Sequence, residues 1–176
     1  MKKIKKLSIA VVVLVICLLL GVTVWSADGN KVQIEAVANK ASFCTQDYAQ
    51  TVTITLKASA AIDVFSLQAR LQLPDGWSAS VTGLDGIFEY NAESGMIVWV
   101  ADLDDALNVT ATELAKIEVT IPKGASVNDH IVSLTGIEVV KLLVNDGELG
   151  YQYWAENTNL CVNVAINNHV HPCRAT

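Results

Sequence analysis

Strict two-residue alternation of apolar and polar side chains dominates this chain beyond its first 27 residues. Segment 51–57 reads Thr-Val-Thr-Ile-Thr-Leu-Lys, and segment 65–73 alternates over nine residues. The same pattern returns at 117–121 and at 160–166. Because successive side chains of a strand point to opposite faces, each segment predicts a strand with one apolar face. Such strands must pack as two sheets or close into a barrel, so the pattern predicts an all-β domain.

Turn residues separate these strands. Pro74–Gly76, Asp85–Gly86, Pro122–Gly124 and Asn145–Gly147 combine residues that preset φ or accept positive φ. Further strands are predicted at 32–36, 77–81, 88–90, 95–101 and 132–140. Alternation fails between Asp104 and Lys116, where we expect a helical turn with a short helix at Thr112–Leu114.

The first 27 residues have the order of a secretory signal peptide. Four lysines at positions 2–6 precede an apolar run at 7–25. Val24 and Ser26 fit cleavage after Ser26, with cleavage after Ala27 as the alternative. An uncleaved anchor is the other interpretation, since the run is nearly long enough to span a bilayer. We therefore expect an extracellular or cell-surface protein of a Gram-positive-type bacterium, with a membrane contact only if the segment stays uncleaved.

The exported part is acidic. The four lysines leave with the signal peptide, so its formal net charge is −10 rather than −6. Nucleic acid is excluded as a partner because its binding depends on Lys and Arg at phosphates, and an anionic membrane surface is disfavoured for the same reason. About 150 residues remain, enough for one domain with a core, which we place at 28–166 with a tail at 167–176.

Sparse cysteines and scattered histidines give no strong metal signature. Cys44, Cys161 and Cys173 permit one disulfide and one free thiol, with the pairing open. His169, His171 and Cys173 alternate in the tail, so all three could face one metal ion; the alternative is a terminus without fixed structure. No metal or cofactor is predicted.

An aspartate cluster and the carboxylates add no catalytic signature. Asp102–Asp105 resembles the start of a calcium-binding loop, but Ala106 and Leu107 stand where an oxygen ligand and a glycine are needed. There is no nucleophile elbow, phosphate loop or His-Glu-x-x-His motif, so we do not expect an enzyme.

The strand series from about Val32 to Ile166 resembles a cohesin module, the receptor for dockerin in cellulosome-like assemblies that serve polysaccharide degradation. The segments that carry the resemblance are 51–56, 65–74, 88–91, 95–102 and 114–121. It implies a jelly-roll β-sandwich of about nine strands. It also implies that a dockerin-bearing secreted protein binds one sheet face, built from the family's third, fifth, sixth and eighth strands. Carried onto this chain, the implied contact residues are Ser66, Gln68, Arg70, Gln72, Asn91, Asp102, Lys116, Glu118 and Thr120.

Carbohydrate-binding modules of the same superfamily share the sandwich and provide the alternative function. Tyr151, Tyr153 and Trp154 are the candidate residues for stacking on plant or cell-wall polysaccharide. The alternation puts both tyrosines on one face and the tryptophan on the other.

Overall fold

The computed structural model describes residues 32–102, 108–145 and 148–167. The predicted signal peptide, the aspartates at 104 and 105, and the histidines and cysteine of the tail lie outside the described residues. Ten strands form within that part of the chain: β1 (Ile34–Ala38), β2 (Ser42–Phe43), β3 (Gln50–Val64), β4 (Ser66–Gln72), β5 (Ser78–Gly83), β6 (Ile87–Asn91), β7 (Met96–Val100), β8 (Val109–Ile121), β9 (Asp129–Asn145) and β10 (Glu148–Ile166).

The strands form two sheets. The four-stranded sheet has the order β1-β3-β8-β5, and the six-stranded sheet has the order β2-β10-β9-β4-β7-β6. All neighbours are antiparallel except β2 and β10, which are parallel. The prediction of an all-β jelly-roll sandwich of about nine strands is confirmed, the tenth strand being the two-residue β2. Among the described residues no helix has the length and apolar character needed to cross a membrane.

The inward side chains of both sheets form one apolar core. Ile54, Leu56, Ile117 and Val119 of the four-stranded sheet are at most 1% exposed. The six-stranded sheet contributes the buried side chains of Leu67, Ile97, Trp99, Leu134, Ile137 and Val139. The Trp99 indole N–H donates to the carbonyl of Leu84 at 2.9 Å, so its one polar atom is satisfied inside the core.

The predicted helix at Thr112–Leu114 is wrong, because these residues lie within β8. Val109 and Ala111 pair with Val64 and Ile62 of β3. Backbone hydrogen bonding to a strand far away in the sequence therefore overrides the local loss of alternation.

The long β9 and β10 are fixed to the four-stranded sheet by a cluster around Asp63, near the end of β3. Its carboxylate accepts hydrogen bonds from the Lys141 ammonium at 2.7 Å and from the Thr110 hydroxyl at 2.7 Å. Its carbonyl accepts the Trp154 indole N–H at 2.7 Å. The Lys141 and Thr110 bonds lower the pKa of Asp63, although burial acts in the opposite direction.

The structure shows the bonding state of two of the cysteines. Cys44 is disulfide-bonded, whereas Cys161 is a free and exposed thiol on β10. The two therefore do not pair with each other.

Candidate functional site

The outward sides of the two sheets differ in chemistry. Directly opposite residues of an antiparallel pair point to the same side of the sheet, so the strand register identifies which side chains share a face. We call the outward side of β10, β9, β4, β7 and β6 the valine face, and that of β3, β8 and β5 the threonine face.

Three rows of side chains cross the valine face. The first row is Tyr153, Val140, Ser66, Val100 and Ile87. The second is Glu138, Gln68, Val98 and Glu89, and the third is Thr135, Arg70, Met96 and Asn91. Ile87 is 54% exposed and Tyr153 is 38% exposed, and Met96, Val98 and Val100 are half-buried. A solvent-facing side of a sheet is normally polar, so this apolar content makes the valine face the candidate contact surface.

The threonine face consists of hydroxyl and charged side chains. Its members are Thr51, Thr53 and Thr55 of β3, Thr120, Glu118 and Lys116 of β8, and Ser78, Ser80 and Thr82 of β5. The expectation that Lys116, Glu118 and Thr120 share a face with the residues of β4 is therefore wrong. They lie on the other sheet and on the opposite side of the molecule, with Lys116 paired to Glu113 at 3.6 Å.

The remaining predicted contact residues lie on or beside the valine face. Ser66, Gln68, Arg70 and Gln72 all point outward from β4. Asn91 ends β6, and its side-chain oxygen accepts the backbone N–H groups of Glu93 and Ser94 at 3.0 and 2.9 Å. Asn91 therefore shapes the turn between β6 and β7. Asp102 is exposed two residues after β7. Whether these residues bind a partner stays a prediction.

Polar contacts on the valine face leave one cation unpaired. The Gln68 amide N–H donates to the Glu138 carboxylate at 2.7 Å. Burial raises the pKa of Tyr153, with smaller contributions from the carboxylates of Glu138 and Glu156. The negative charge of Glu138 thus disfavours ionisation of the Tyr153 hydroxyl. The exposed Arg70 makes no ion pair with any described residue.

A pocket of about 260 Å³ lies beside Arg70, and a β-bulge creates it. β9 pairs Glu138 with Gln68 but Thr135 with Arg70, so β9 uses one extra residue over this stretch. Gly136 lies in the bulge with φ +58°, and its N–H is held by the side-chain oxygen of Asn159 at 2.9 Å. Gln68, Ala69, Arg70, Met96, Thr135 and Gly136 line the pocket.

The aromatic residues of the alternative function do not form one platform. Tyr153 is exposed on the valine face, and Tyr151 packs against Phe65 with ring centroids 6.5 Å apart. Trp154 packs against the core and donates its indole N–H to Asp63. Tyr151 and Tyr153 therefore lie on the other side of β10 from Trp154, and Tyr153 is the exposed ring of the three. Within the described residues no group of three His, Cys, Asp or Glu side chains can hold a metal ion.

Sequence reasoning missed the apolar residues of the valine face. Segment 96–101 reads Met-Ile-Val-Trp-Val-Ala, an apolar run that does not alternate. Such a run is expected for a strand with apolar surroundings on both sides. Ile97 and Trp99 enter the core, and Met96, Val98 and Val100 face outward. The run itself is the sequence signal that both sides of this strand are apolar.

Comparison with known proteins gives structural similarity without sequence similarity. No protein-family model matches the chain, and no curated protein matches it. The cohesin module of a family 33 glycoside hydrolase from Clostridium perfringens superposes with a TM-score of 0.50 at 15% identity, covering 80% of this chain and 100% of that module. This chain has a cohesin-like fold.

Two other cohesins give similar superpositions. The seventh ScaB type I cohesin from Pseudobacteroides cellulosolvens has a TM-score of 0.49 at 13% identity, covering 81% of this chain and 98% of that one. A non-cellulosomal cohesin from the archaeon Archaeoglobus fulgidus has a TM-score of 0.49 at 20% identity, covering 77% and 92%. The superposition on the Clostridium perfringens cohesin confirms the cohesin resemblance of the strand series at the level of fold.

Proposed function

We propose that this protein is an exported, non-enzymatic binding module of cohesin type that recognises a dockerin-like domain through the valine face. The observation that carries the proposal is the apolar outward side of β7, where Met96, Val98 and Val100 lie beside the exposed Ile87. The cohesin-like fold supports the class of partner. Place of action is part of the proposal: the module works outside the cell or at its surface.

The composition of the face fits a protein partner. Interfaces typically combine an apolar centre with a polar rim. Here the second row joins Val98 to Gln68, Glu138 and Glu89, and Arg70 and Asn91 lie in the third row. A polysaccharide would instead require exposed, coplanar aromatic rings, and the described chain offers Tyr153 without Trp154 beside it.

The test is a binding titration of the purified protein against a panel of calcium-loaded dockerins. We expect at least one dockerin to bind and a chelator to abolish binding, because paired calcium loops need the ion to fold. Val98→Lys places a charge at the centre of the face and should weaken binding by roughly 100-fold, as for a central interface residue.

Thr53→Lys is the matched control, since it adds the same charge to the threonine face. It should leave the affinity unchanged. Equal losses in V98K and T53K, or binding that survives the chelator, would contradict the proposal. Retention of the protein on cellulose, xylan or pectin gels without any dockerin binding would favour the carbohydrate alternative.

A further inference from the structure

The pocket beside Gly136 has the dimensions of a site for one side chain. Its volume of about 260 Å³ lies below the roughly 300–1,000 Å³ of typical small-molecule sites. It opens on the valine face between the second and third rows, so a partner docked on that face covers it. A shallow pocket of this kind, next to the apolar centre of the face, can receive a side chain of a docked partner.

Charge determines which side chain the pocket accepts. Arg70 is the one cation in the three rows of the valine face, and it is exposed on the pocket wall without an ion pair among the described residues. The nearest acids in the rows are Glu138 of the neighbouring β9 and Glu89 of β6, two strands away, both in the second row. Glu138 is hydrogen-bonded to Gln68 rather than to Arg70.

The other lining groups add hydrogen-bonding capacity. Gln68 of β4 and Thr135 of β9 line two sides of the pocket, and Met96 of β7 provides an apolar wall. The Thr135 hydroxyl lies 3.5 Å from the Arg70 carbonyl, at the long limit of a hydrogen bond, so it is free to turn toward an incoming group. A guanidinium beside hydroxyl and amide donors matches the two oxygens of a carboxylate.

We propose that this pocket is a specificity subsite that receives a glutamate or aspartate side chain of the protein partner, with Arg70 as the group that binds the carboxylate. This rests on the proposed function, in which the valine face docks a protein. Within that function, Arg70 selects partners with an acid at one position and rejects partners with a cation there.

The test uses a small probe, so that it does not depend on having identified a dockerin. N-acetylglutamate amide is titrated into ¹⁵N-labelled protein while the Arg70 Nε–H and Gln68 side-chain amide signals are followed by NMR. The isosteric N-acetylglutamine amide is the control ligand. We expect a saturable shift of both signals with the glutamate probe and none with the glutamine probe. Equal responses to the two probes, or no response at these signals, would overturn the proposal.

Two glycine variants separate pocket filling from backbone strain. Gly136 and Gly124 both have positive φ, of +58° and +72°, and a Cβ at either meets no atom within 4 Å. Asparagine tolerates this conformation, so Gly136→Asn and Gly124→Asn carry a similar backbone cost. G136N should weaken the glutamate-probe shift because residue 136 lines the pocket, whereas G124N, away from the pocket, should keep it. Arg70→Gln should abolish the shift without filling the pocket.

The outcomes distinguish this subsite from the proposed function. A dockerin that binds wild type and G136N equally but fails to bind V98K would overturn the subsite and leave the docking face intact. A glutamate-specific shift at Arg70 together with no dockerin binding would retain the subsite and remove the dockerin.

Discussion

The valine face and the threonine face are the outward sides of two sheets that share one core. On the threonine face, Thr53 of β3 lies opposite Glu118 of β8. The next residue pair of the same two strands, Ile54 and Ile117, is buried in the core. On the valine face, Val98 lies between Gln68 and Glu89, while Ile97 and Trp99 on the same strand are buried. Both sheets thus meet the core with similar apolar side chains and differ only toward solvent.

This difference shows that the apolar core does not require apolar residues at the outward positions. A sandwich is stable and soluble when its outer positions are polar, and the threonine face satisfies that rule. Apolar residues at outer positions add little to the core and create a hazard of association. Their concentration on β7, beside an Arg70 that makes no ion pair with any described residue, is the main difference between the two faces.

The largest expected effect on stability comes from placing a carboxylate at a buried position of the valine face. Val140 points outward yet is only 8% exposed, so Val140→Asp buries an unpaired charge. We expect a loss of about 2–4 kcal/mol in the free energy of unfolding, measured by urea denaturation. Thr120→Asp, on the exposed threonine face, should cost less than about 1 kcal/mol. Similar losses for the two variants would mean that the faces do not differ in burial.

A smaller effect is expected where the two sheets are joined by Asp63 and Lys141. The pKa of Asp63 is lowered in the folded state, so its ionised form stabilises the fold above the unfolded pKa of about 3.9. That contribution is lost as the pH falls through the lowered folded value. Because the pair is partly exposed, Asp63→Asn should cost less than about 1 kcal/mol at pH 7. The measurement is urea unfolding of both proteins from pH 7 to pH 3.

The difference between wild type and D63N should shrink below about pH 4, where the wild-type carboxylate becomes protonated. A difference that stays constant over the whole range would show that the charge on Asp63 does not hold the sheets together.

The smallest effect concerns the boundary of the valine face. Cys161 is an exposed thiol on the outward side of β10, opposite Ser133 and beyond the three rows. We expect a maleimide reagent to label Cys161 and to change the free energy of unfolding by less than about 0.5 kcal/mol. Labelled protein should bind its dockerin as unlabelled protein does. Loss of binding after labelling would extend the docking surface along β10 as far as Cys161.

The strands that alternate were predictable, and the structure shows why others were not. Segments 51–57 and 65–73 correspond to β3 and β4, because side-chain period and burial agree there. Val109–Glu113 of β8 was missed, since its strand conformation comes from pairing with β3 rather than from its own pattern. The lengths of β9 and β10 also depend on such pairing, including bulges at Tyr153–Leu160 that interrupt the period.

The site was predictable only in part for a related reason. Alternation distinguishes inward from outward residues, but it does not say to which sheet a strand belongs. Glu118 and Gln68 are equally outward in sequence, and only the strand order separates them. The pocket at Gly136 depends on a bulge in β9 opposite β4, and no local pattern encodes a relation between strands that lie so far apart.

The position of β9 between β4 and β10 also affects the order in which strands pair during folding. The Gln68–Glu138 hydrogen bond joins residues 70 positions apart. As the chain is synthesised, β4, β7 and β6 emerge well before β9, so β4 keeps an open edge for pairing with other chains. During that interval β7 presents apolar side chains on both sides, and closure of such distant contacts is slow. The strand that completes the valine face is therefore also the one that closes this open edge.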